Sequence, residues 1–453
     1  MRKILSTISV CFFVLPLFSQ QGPLLQNFKY RISRFRAINY SVNGGSQFEQ
    51  YNQVPMDAKN SSASGNLGAG YFFTKSTNRI LLTANGGLNT SFGTGKSITQ
   101  SYERTNRNFN AFPSIYVLNK WFTKNHFTEL GAVAYYNYGR SNFRQEIPAN
   151  KEKNNQDIYS VAIQTGIGKG RLENVTNMQN ALWLYKELQE ANLLTRSLSD
   201  EELNELGQSI TDGTNTRVLD SRRRIQFILK TVDNYFQQKG LIAKTDINYF
   251  TRLNDILFFA VNNVRLSGNE RFVRFIPAIQ RNNQQSALNN LADKYRQTSS
   301  SQSLVFITGF NHYKPVSLTH QNNYGASVKL AYIDYTSTSR NIIGGVNNTV
   351  ETKRTNKQAE GNIFFQHAIY PNTRTIISFD FRSEGGYQDN EDQSGFYNIT
   401  SIGSTMNYFV SYRTMLRGNI GASYEKNVYY VFPNTLRPER LFLNASIGLD
   451  ISL

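Results

Sequence analysis

Residues 441–453, LFLNASIGLDISL, indicate the fold class of this 453-residue chain. Their odd-numbered positions are apolar throughout, and their even-numbered positions after Phe442 are polar or small. A strict period of two over this length predicts a β-strand with one apolar and one polar face. In a water-soluble sandwich the apolar face packs against a second sheet, whereas in an outer-membrane barrel it contacts lipid and the polar face lines the lumen.

Several other segments alternate in the same way and are longer than most soluble strands. Soluble strands usually run about five or six residues, whereas a tilted membrane strand needs about nine to eleven. Alternating segments lie at residues 63–73, 159–168, 324–332 and 377–382. Aromatic residues crowd the strand ends, as an interfacial girdle requires: Tyr71, Phe73, Trp121, Phe122, Phe365, Tyr370 and Tyr412. The pattern predicts an all-β transmembrane barrel.

The composition of the whole chain supports this interpretation. The net charge is +17, the aromatic share is 13% and the mean hydropathy is −0.46. Abundant aromatic and β-branched residues argue against a disordered chain. Past residue 19, no apolar run approaches the ~20 residues that a membrane helix needs.

The first twenty residues have the composition of a signal peptide. Arg2 and Lys3 precede an apolar run at residues 4–18, and cleavage is expected near residues 19–21. The only cysteine, Cys11, lies in this segment. The exported chain is therefore expected to contain no disulfide or thiolate metal site, and its predicted location is the outer membrane.

Short and long connections alternate along the chain, as in barrels with short periplasmic turns and long outer loops. Six strands are predicted before the middle of the chain and seven after it, so the parity of an up-and-down barrel requires one more. Residues 270–281 supply it, with Val273, Phe275 and Ile279 facing outward, although Pro277 removes a ladder donor. The predicted count is about fourteen antiparallel strands, with twelve or sixteen still open. Short turns are predicted at 75–78, 123–125, 314–317, 370–373 and 416–419, and long polar loops at 41–62, 93–106, 142–156, 282–302, 337–354, 387–395 and 431–438.

Between residues 171 and 262 the hydrophobic period changes to 3.6, which predicts an α-helical insertion of four amphipathic helices. A capping box at residues 199–202 opens one of them. The insertion separates a first barrel part at 21–170, with about six strands, from a second part at 263–453, with about eight. By strand parity it lies in the periplasm. Three roles are open: docking of a partner, a gate or plug under the pore, and a structural insertion without a partner.

Alternating strand positions identify four candidate lumen charges. Asp380 and Arg382 share one polar strand face, and Lys329 and Arg413 lie on others. Charged rings in a lumen tune ion selectivity, and a basic excess favours anions. The alternative is that these charges pair with one another across a filled lumen.

The insertion contains a basic run, Arg222, Arg223 and Arg224, at the start of its third helix. These residues are candidates for docking an acidic partner or lipid phosphates. The alternative is a solvated helix face with one arginine paired to a nearby carboxylate. With this run included, the insertion is about neutral, so the basic charge of the chain belongs to the barrel and its loops. An exported barrel meets anionic lipopolysaccharide, so nucleic-acid binding is not expected.

No catalytic, metal or cofactor site is predicted. The histidines lack metal-ligand spacing and fall near short turns, the wrong end for a surface hydrolase: His126, His312, His320 and His367. Residues 166–170, GIGKG, lack the spacing of a phosphate-binding loop. We interpret these glycines as small residues on the lumen side of a barrel strand.

The chain resembles outer-membrane β-barrel proteins of the Bacteroidota type. The resemblance rests on the signal segment ending LFSQQG, on alternating strands rich in Asn, Tyr and Phe, and on the closing segment RLFLNASIGLDISL. One departure is the terminal Leu453, where such barrels commonly have an aromatic residue. The resemblance implies a porin-like channel for small hydrophilic or anionic solutes. The alternative is a structural or accessory subunit of an outer-membrane complex, whose insertion at 171–262 docks a periplasmic or outer-membrane protein.

Overall fold

The structure is a computed structural model. It describes residues 22–53, 56–99, 103–146, 150–216, 221–259, 264–288, 294–343, 346–390, 393–411, 414–431, 434–436 and 438–451. The predicted signal peptide and Arg413 lie outside these residues. Within the described part of the chain, no helix combines the length and the apolar character needed to cross a bilayer.

The described residues form a β-sheet that a group of helices interrupts after its sixth strand. The strands before the helices are β1 (Ile32–Gln53), β2 (Met56–Ser76), β3 (Ile80–Thr99), β4 (Glu103–Thr123), β5 (His126–Gln145) and β6 (Asn150–Asn174). The strands after them are β7 (Leu266–Leu288), β8 (Lys294–Pro315), β9 (His320–Ile343), β10 (Val346–Asn372), β11 (Thr375–Asn390), β12 (Gln393–Ser411), β13 (Thr414–Val431), β14 (Asn434–Leu436) and β15 (Glu439–Ile451).

From β1 to β14, each strand pairs antiparallel with the next strand in the chain, so the sheet is a meander. β14 and β15 both pair with β13 and are two pieces of one edge strand. The predicted class, a barrel-type sheet of fourteen antiparallel strands with a helical insertion, is confirmed. Among the described residues, β1 and β15 are not paired with each other, so the sheet has two edges.

The strand that parity required is β7. It spans residues 266–288 and pairs with β6 on one side and β8 on the other. Pro277 pairs with Leu304 of β8 but has no Cα partner in β6, where the ladder resumes at Phe275 in unchanged register. The missing proline donor therefore falls at a gap in the β6–β7 ladder.

The predicted long loops are wrong in extent. Residues 41–53 and 56–62, for example, continue β1 and β2 as a paired hairpin. Polar side chains on both strand faces suggested loops, but the ladder needs only backbone groups. The predicted turn at 416–419 is also wrong, because Leu416 and Ile420 continue the alternation of β13, which begins at Thr414.

The sheet has an apolar face and a polar face. On β9 the apolar face carries apolar residues from Tyr324 to Tyr332 at every second position and becomes polar at Asp334. Apolar side chains on this face are exposed, as Ile167 on β6 (62%) and Ile420 on β13 (63%) illustrate. The apolar band is therefore about nine residues high, and its side chains are exposed where the structure describes them.

Five helices form one unit, called here the helical unit. They are α1 (Gly22–Asn27), α2 (Thr176–Glu190), α3 (Asp200–Asn215), α4 (Ser221–Gln238) and α5 (Ile247–Phe259). α1 and the residues after it were assigned to the first barrel part, but Leu24, Leu25 and Phe28 pack in the same buried core as α2–α5. Their apolar side chains face helices instead of a strand neighbour.

The predicted capping box opens α3. The Glu202 backbone N–H donates to Ser199 Oγ at 3.3 Å, and Glu202 Oε2 accepts from the Ser199 N–H at 3.0 Å. Arg196 forms a bidentate pair with the same carboxylate, at 2.7 and 2.8 Å. The Arg196 contact, and then the Ser199 backbone N–H, lower the pKa of Glu202 to about 2.

We predict that Glu202→Gln loosens α3 in a pH-dependent manner. A depressed carboxyl pKa gives stability that is present above the unfolded value of about 4.3 and is lost as pH falls toward the folded value. Hydrogen exchange of the full-length protein in detergent should show faster exchange in α3 for the variant at about pH 6, and little difference at about pH 2. Glu190→Gln, at the exposed end of α2, is the matched control. Equal exchange of wild type and Glu202→Gln at about pH 6 would contradict this assignment.

Candidate functional site

The helical unit contacts two distant parts of the sheet. On the β1–β3 side, Gln208 of α3 donates to the Arg31 carbonyl at 3.1 Å, and Asn215 donates to the Tyr30 hydroxyl at 3.2 Å. Arg31 in turn donates to Asn78 in the β2–β3 turn at 2.6 Å.

The second set of contacts involves the turns that follow β8 and β10. Leu318, in the β8–β9 turn, is buried in the core of the helical unit. Arg374, in the β10–β11 turn, forms an ion pair of 2.5 Å with Asp255 of α5. Strands β1–β3 and β8–β10 are seven positions apart in the order of the sheet. The helical unit therefore lies across the end that carries the short turns.

Arg265, just before β7, is the buried centre of this junction. Its side chain is fully buried and has no carboxylate partner among the described residues. Nε donates to Gln321 Oε1 at 2.7 Å, and the guanidinium lies 4.7 Å from the centre of the Tyr370 ring. The other nitrogens donate to backbone carbonyls at 2.5–2.8 Å: those of Ser317, Leu318 and His320. Burial lowers the pKa of Arg265 to about 10, so the side chain keeps its charge at neutral pH.

The backbone of Arg265 also joins the two ends of the insertion. Its N–H donates to Thr176 Oγ1 at 2.9 Å, and its carbonyl accepts from the Val175 N–H at 2.8 Å. The chain thus enters and leaves the four inserted helices at one hydrogen-bonded point. A fully buried cation whose acceptors are neutral is stable only if its N–H donors are hydrogen-bonded. The acceptors around Arg265 must therefore keep their positions.

From Arg265, a chain of side-chain hydrogen bonds runs along the polar face across β9–β12. Gln321 donates to Asn323, and Asn323 donates to Gln366, both at 2.7 Å. Gln366 donates to Asp380 at 2.6 Å. Ser378 donates to the same carboxylate at 2.9 Å and contacts Thr405 at 2.6 Å. Asp380, predicted as a lumen charge, is therefore linked through side chains to the base of the helical unit.

An ion cluster that sequence reasoning missed lies on the polar face of β4–β7. Lys120 Nζ lies 2.7 Å from Glu270 Oε2 and 3.6 Å from Glu129 Oε2. Arg274 contacts Glu129 at 2.5 Å and Glu270 at 3.2 Å. The Glu129 side chain is fully buried. The sequence did contain a signal for two members of this cluster. If Val273 and Phe275 face outward, Glu270 and Arg274 lie on the polar face.

A glycine of the GIGKG stretch makes this cluster possible. Gly166 lies between Glu129 and Arg274 in the cross-strand register. A Cβ at Gly166 would meet Glu129 Oε1 at 2.7 Å, so the absence of a side chain lets the carboxylate reach Arg274 across β6. The same cross-strand row continues through Ile307 to Lys329.

The candidate lumen charges that the structure describes lie on the polar face of the sheet. Each of them contacts another polar side chain on that face. Lys329 pairs with Glu360 at 2.8 Å, and Arg382 pairs with Glu384 at 3.0 Å. Asp380 accepts the hydrogen bonds described above instead of contacting Arg382. Arg413 lies outside the described residues. Their effect on ion selectivity stays a prediction.

The basic run of the insertion lies at the start of α4. Arg223 and Arg224 are exposed, and Arg224 donates to the Thr214 carbonyl at 3.3 Å. Of Arg222 only the backbone is described. Next in the same helix, Ile225 and Phe227 are each 37% exposed. In the described part of the chain, no group of His, Cys, Asp and Glu side chains has the geometry of a metal site.

Comparisons with known proteins identify no family. No protein-family model matches the chain, and no curated protein sequence matches it. Among solved structures, the β domain of the Bordetella autotransporter Brka matches with a TM-score of 0.29 and 10% identity, covering 77% of this chain and 92% of that one. The toluene transporter TodX of Pseudomonas putida matches with a TM-score of 0.26 and 6% identity, covering 91% and 93%. The translocator domain of NalP from Neisseria meningitidis matches with a TM-score of 0.24 and 9% identity, covering 85% and 92%. Similarities this low carry no functional argument.

We predict that Arg265→Met destabilises the folded protein by about 3–5 kcal/mol, because it leaves buried carbonyls and Gln321 without donors. Urea unfolding in detergent, followed by loss of heat-modifiable mobility on a gel, measures the change. Arg374→Met, which breaks a half-exposed ion pair, is the control and should cost about 1 kcal/mol or less. Equal losses for the two variants would show that Arg265 is not the centre of the junction.

Proposed function

We propose that this chain is an integral outer-membrane β-barrel that passes small hydrophilic or anionic solutes, and that the helical unit gates its periplasmic mouth. The observation that carries the proposal is that the helical unit contacts strands seven positions apart at one end of the sheet. The apolar band supports the membrane location, and the charges at the mouth support the solute class.

The apolar band has the dimensions of a membrane span. Nine residues at ~3.3 Å each, on tilted strands, approach the ~25 Å apolar height of outer-membrane barrels. On β9 the band begins and ends with tyrosines, Tyr324 and Tyr332, the residue type enriched at both membrane interfaces. The strands continue beyond the band as polar hairpins, which fits outer loops in water.

The same proposal requires the sheet to close. A bilayer offers no water to unpaired backbone groups, and each such group costs several kcal/mol in hydrocarbon. β1 and β15 are the two strands with unpaired edges, so we infer that they pair with each other in the membrane. The short turns and the helical unit then share one end, which outer-membrane barrels place in the periplasm.

The mouth beside the helical unit is basic. A cavity of about 690 Å³ lies among the first short turns and the start of β1. Glu173 is the carboxylate in its lining, where it pairs with Arg31 at 2.9 Å and Arg171 at 3.1 Å. The other cations of the lining have no ion pair among the described residues: Lys29, Arg79 and Lys124. Such a charge balance favours the entry of anions.

Gating requires that the helical unit can be held in place or released. Its contact with the β10–β11 turn depends on the Arg374–Asp255 ion pair, whereas Arg265 holds its base. Both ion-pair residues are partly exposed, with 38% and 33% of their side-chain areas accessible. An ion pair of this exposure is worth about 1 kcal/mol or less, so the contact can open at low cost.

A cross-link at this ion pair tests the gate. In an Asp255→Cys/Arg374→Cys variant, a disulfide-containing bis-maleimide should join α5 to the β10–β11 turn. In planar bilayers we expect the cross-link to reduce conductance about tenfold or more, because closing a pore excludes water and ions, and a reductant should restore it. Each single-cysteine variant treated with the same reagent is a control. Unchanged conductance after complete cross-linking would contradict gating by the helical unit.

A second candidate function is docking of a partner protein. The observation that favours it is the exposed face of α4, where Ile225 and Phe227 follow Arg223 and Arg224. Apolar residues beside cations suit an acidic amphipathic partner. Absence of conductance from the full chain both before and after cross-linking would favour this function over the channel.

A further inference from the structure

The apolar face carries a recess that no part of the channel hypothesis uses. It has a volume of about 880 Å³ and spans β4 to β9 at the end nearest the short turns. Its lining is mostly apolar, with Trp121, Ile167 and Phe310 among the larger side chains. Thr128, Thr308 and Ala326 provide small side chains between these larger ones.

Basic residues line one edge of this recess. His126, Lys169 and Arg271 lie in one cross-strand row on three adjacent strands, β5, β6 and β7. All three side chains are exposed. None of them has an ion pair among the described residues, and the recess lining contains no carboxylate. The nearest acidic side chain in sequence, Glu270, is engaged by Lys120 and Arg274 on the opposite face.

The next row toward the middle of the band is uncharged. It carries Trp121, Thr128, Ile167, Val273, Thr308 and Val328. Cations beside an uncharged, largely apolar depression match a molecule with an anionic head and a hydrocarbon tail. Lys and Arg at the membrane interface attract anionic lipid, and tryptophan is enriched at the same level.

We propose that this recess binds an anionic glycerophospholipid of the periplasmic leaflet. The phosphate lies against Lys169 and Arg271, and one acyl chain lies over Ile167 and Val273. The proposal rests on the membrane location proposed above. The lipid belongs to the periplasmic leaflet because Lys169 and Arg271 lie at the end of the sheet with the short turns.

Trp121 provides the probe, because the chain has two tryptophans and the other, Trp183, is buried in the helical unit. In a Trp183→Phe background, the protein is reconstituted into vesicles that contain brominated phosphatidylglycerol or brominated phosphatidylcholine in the same unlabelled lipid. We expect half-maximal quenching of Trp121 at a roughly tenfold lower fraction of the anionic lipid. Lys169→Gln/Arg271→Gln should reduce that preference to about one.

The matched control is Lys153→Gln/Arg281→Gln, which removes two exposed cations from the same strands and the same face, far from the recess. It should keep the anionic preference. Equal quenching by both lipids in the Trp183→Phe protein, or an unchanged preference in Lys169→Gln/Arg271→Gln, would overturn the lipid site alone. Quenching by neither lipid would overturn the membrane location as well.

Discussion

The structure depends on one constraint: the backbone groups of each strand interior are satisfied by the adjacent strands of the chain. The consecutive pairing from β1 to β15 meets this constraint without crossovers, and the long hairpins continue it well beyond the apolar band. Because the ladder uses only backbone groups, it places no requirement on the side chains of either face. One face becomes apolar over about nine residues, and the other collects polar and charged groups. Within the described ranges, the two edges of the sheet leave the requirement unmet, and the pairing of these edges that we propose would close a barrel.

The helical unit is an integral part of the barrel end. Its core includes α1 from before the first strand, the four inserted helices and Leu318 from the β8–β9 turn. Arg265 joins these parts through backbone and side-chain hydrogen bonds, and the chain of polar side chains from Gln321 to Asp380 extends the junction along the wall. A displacement of the helices at the mouth would therefore act on the groups that line the polar face. This connection is the physical basis for our proposal that the helical unit gates the channel.

The sequence predicted the elements whose hydrophobic pattern can be read within one segment of the chain. Alternation assigned Val273 and Phe275 to the outer face and identified β7 despite Pro277, and the 3.6-residue period placed the inserted helices. The hairpin extensions were missed because a strand with water on both faces needs no apolar alternation. Ser- and Asn-rich segments such as residues 56–64 therefore gave no strand signal. Arg265 was missed because its acceptors come from residues 317–321, far away in sequence. The Lys120–Glu129–Arg274 cluster needs the register of four strands, and that register depends on tertiary pairing.

The central claim is that the apolar band of the sheet is embedded in lipid, and a spin-label scan along β9 tests it most directly. Single cysteines at residues 322–336 would be labelled with a nitroxide in the protein reconstituted into vesicles, and collisions with oxygen and with a water-soluble nickel chelate measured. If the band lies in lipid, we expect oxygen maxima at alternate positions, low values at the positions between them, and a change to nickel accessibility at Asp334. The positions with oxygen maxima are Tyr324, Ala326, Val328, Leu330 and Tyr332. Nickel accessibility at alternate positions throughout residues 324–332, without an oxygen maximum, would contradict it.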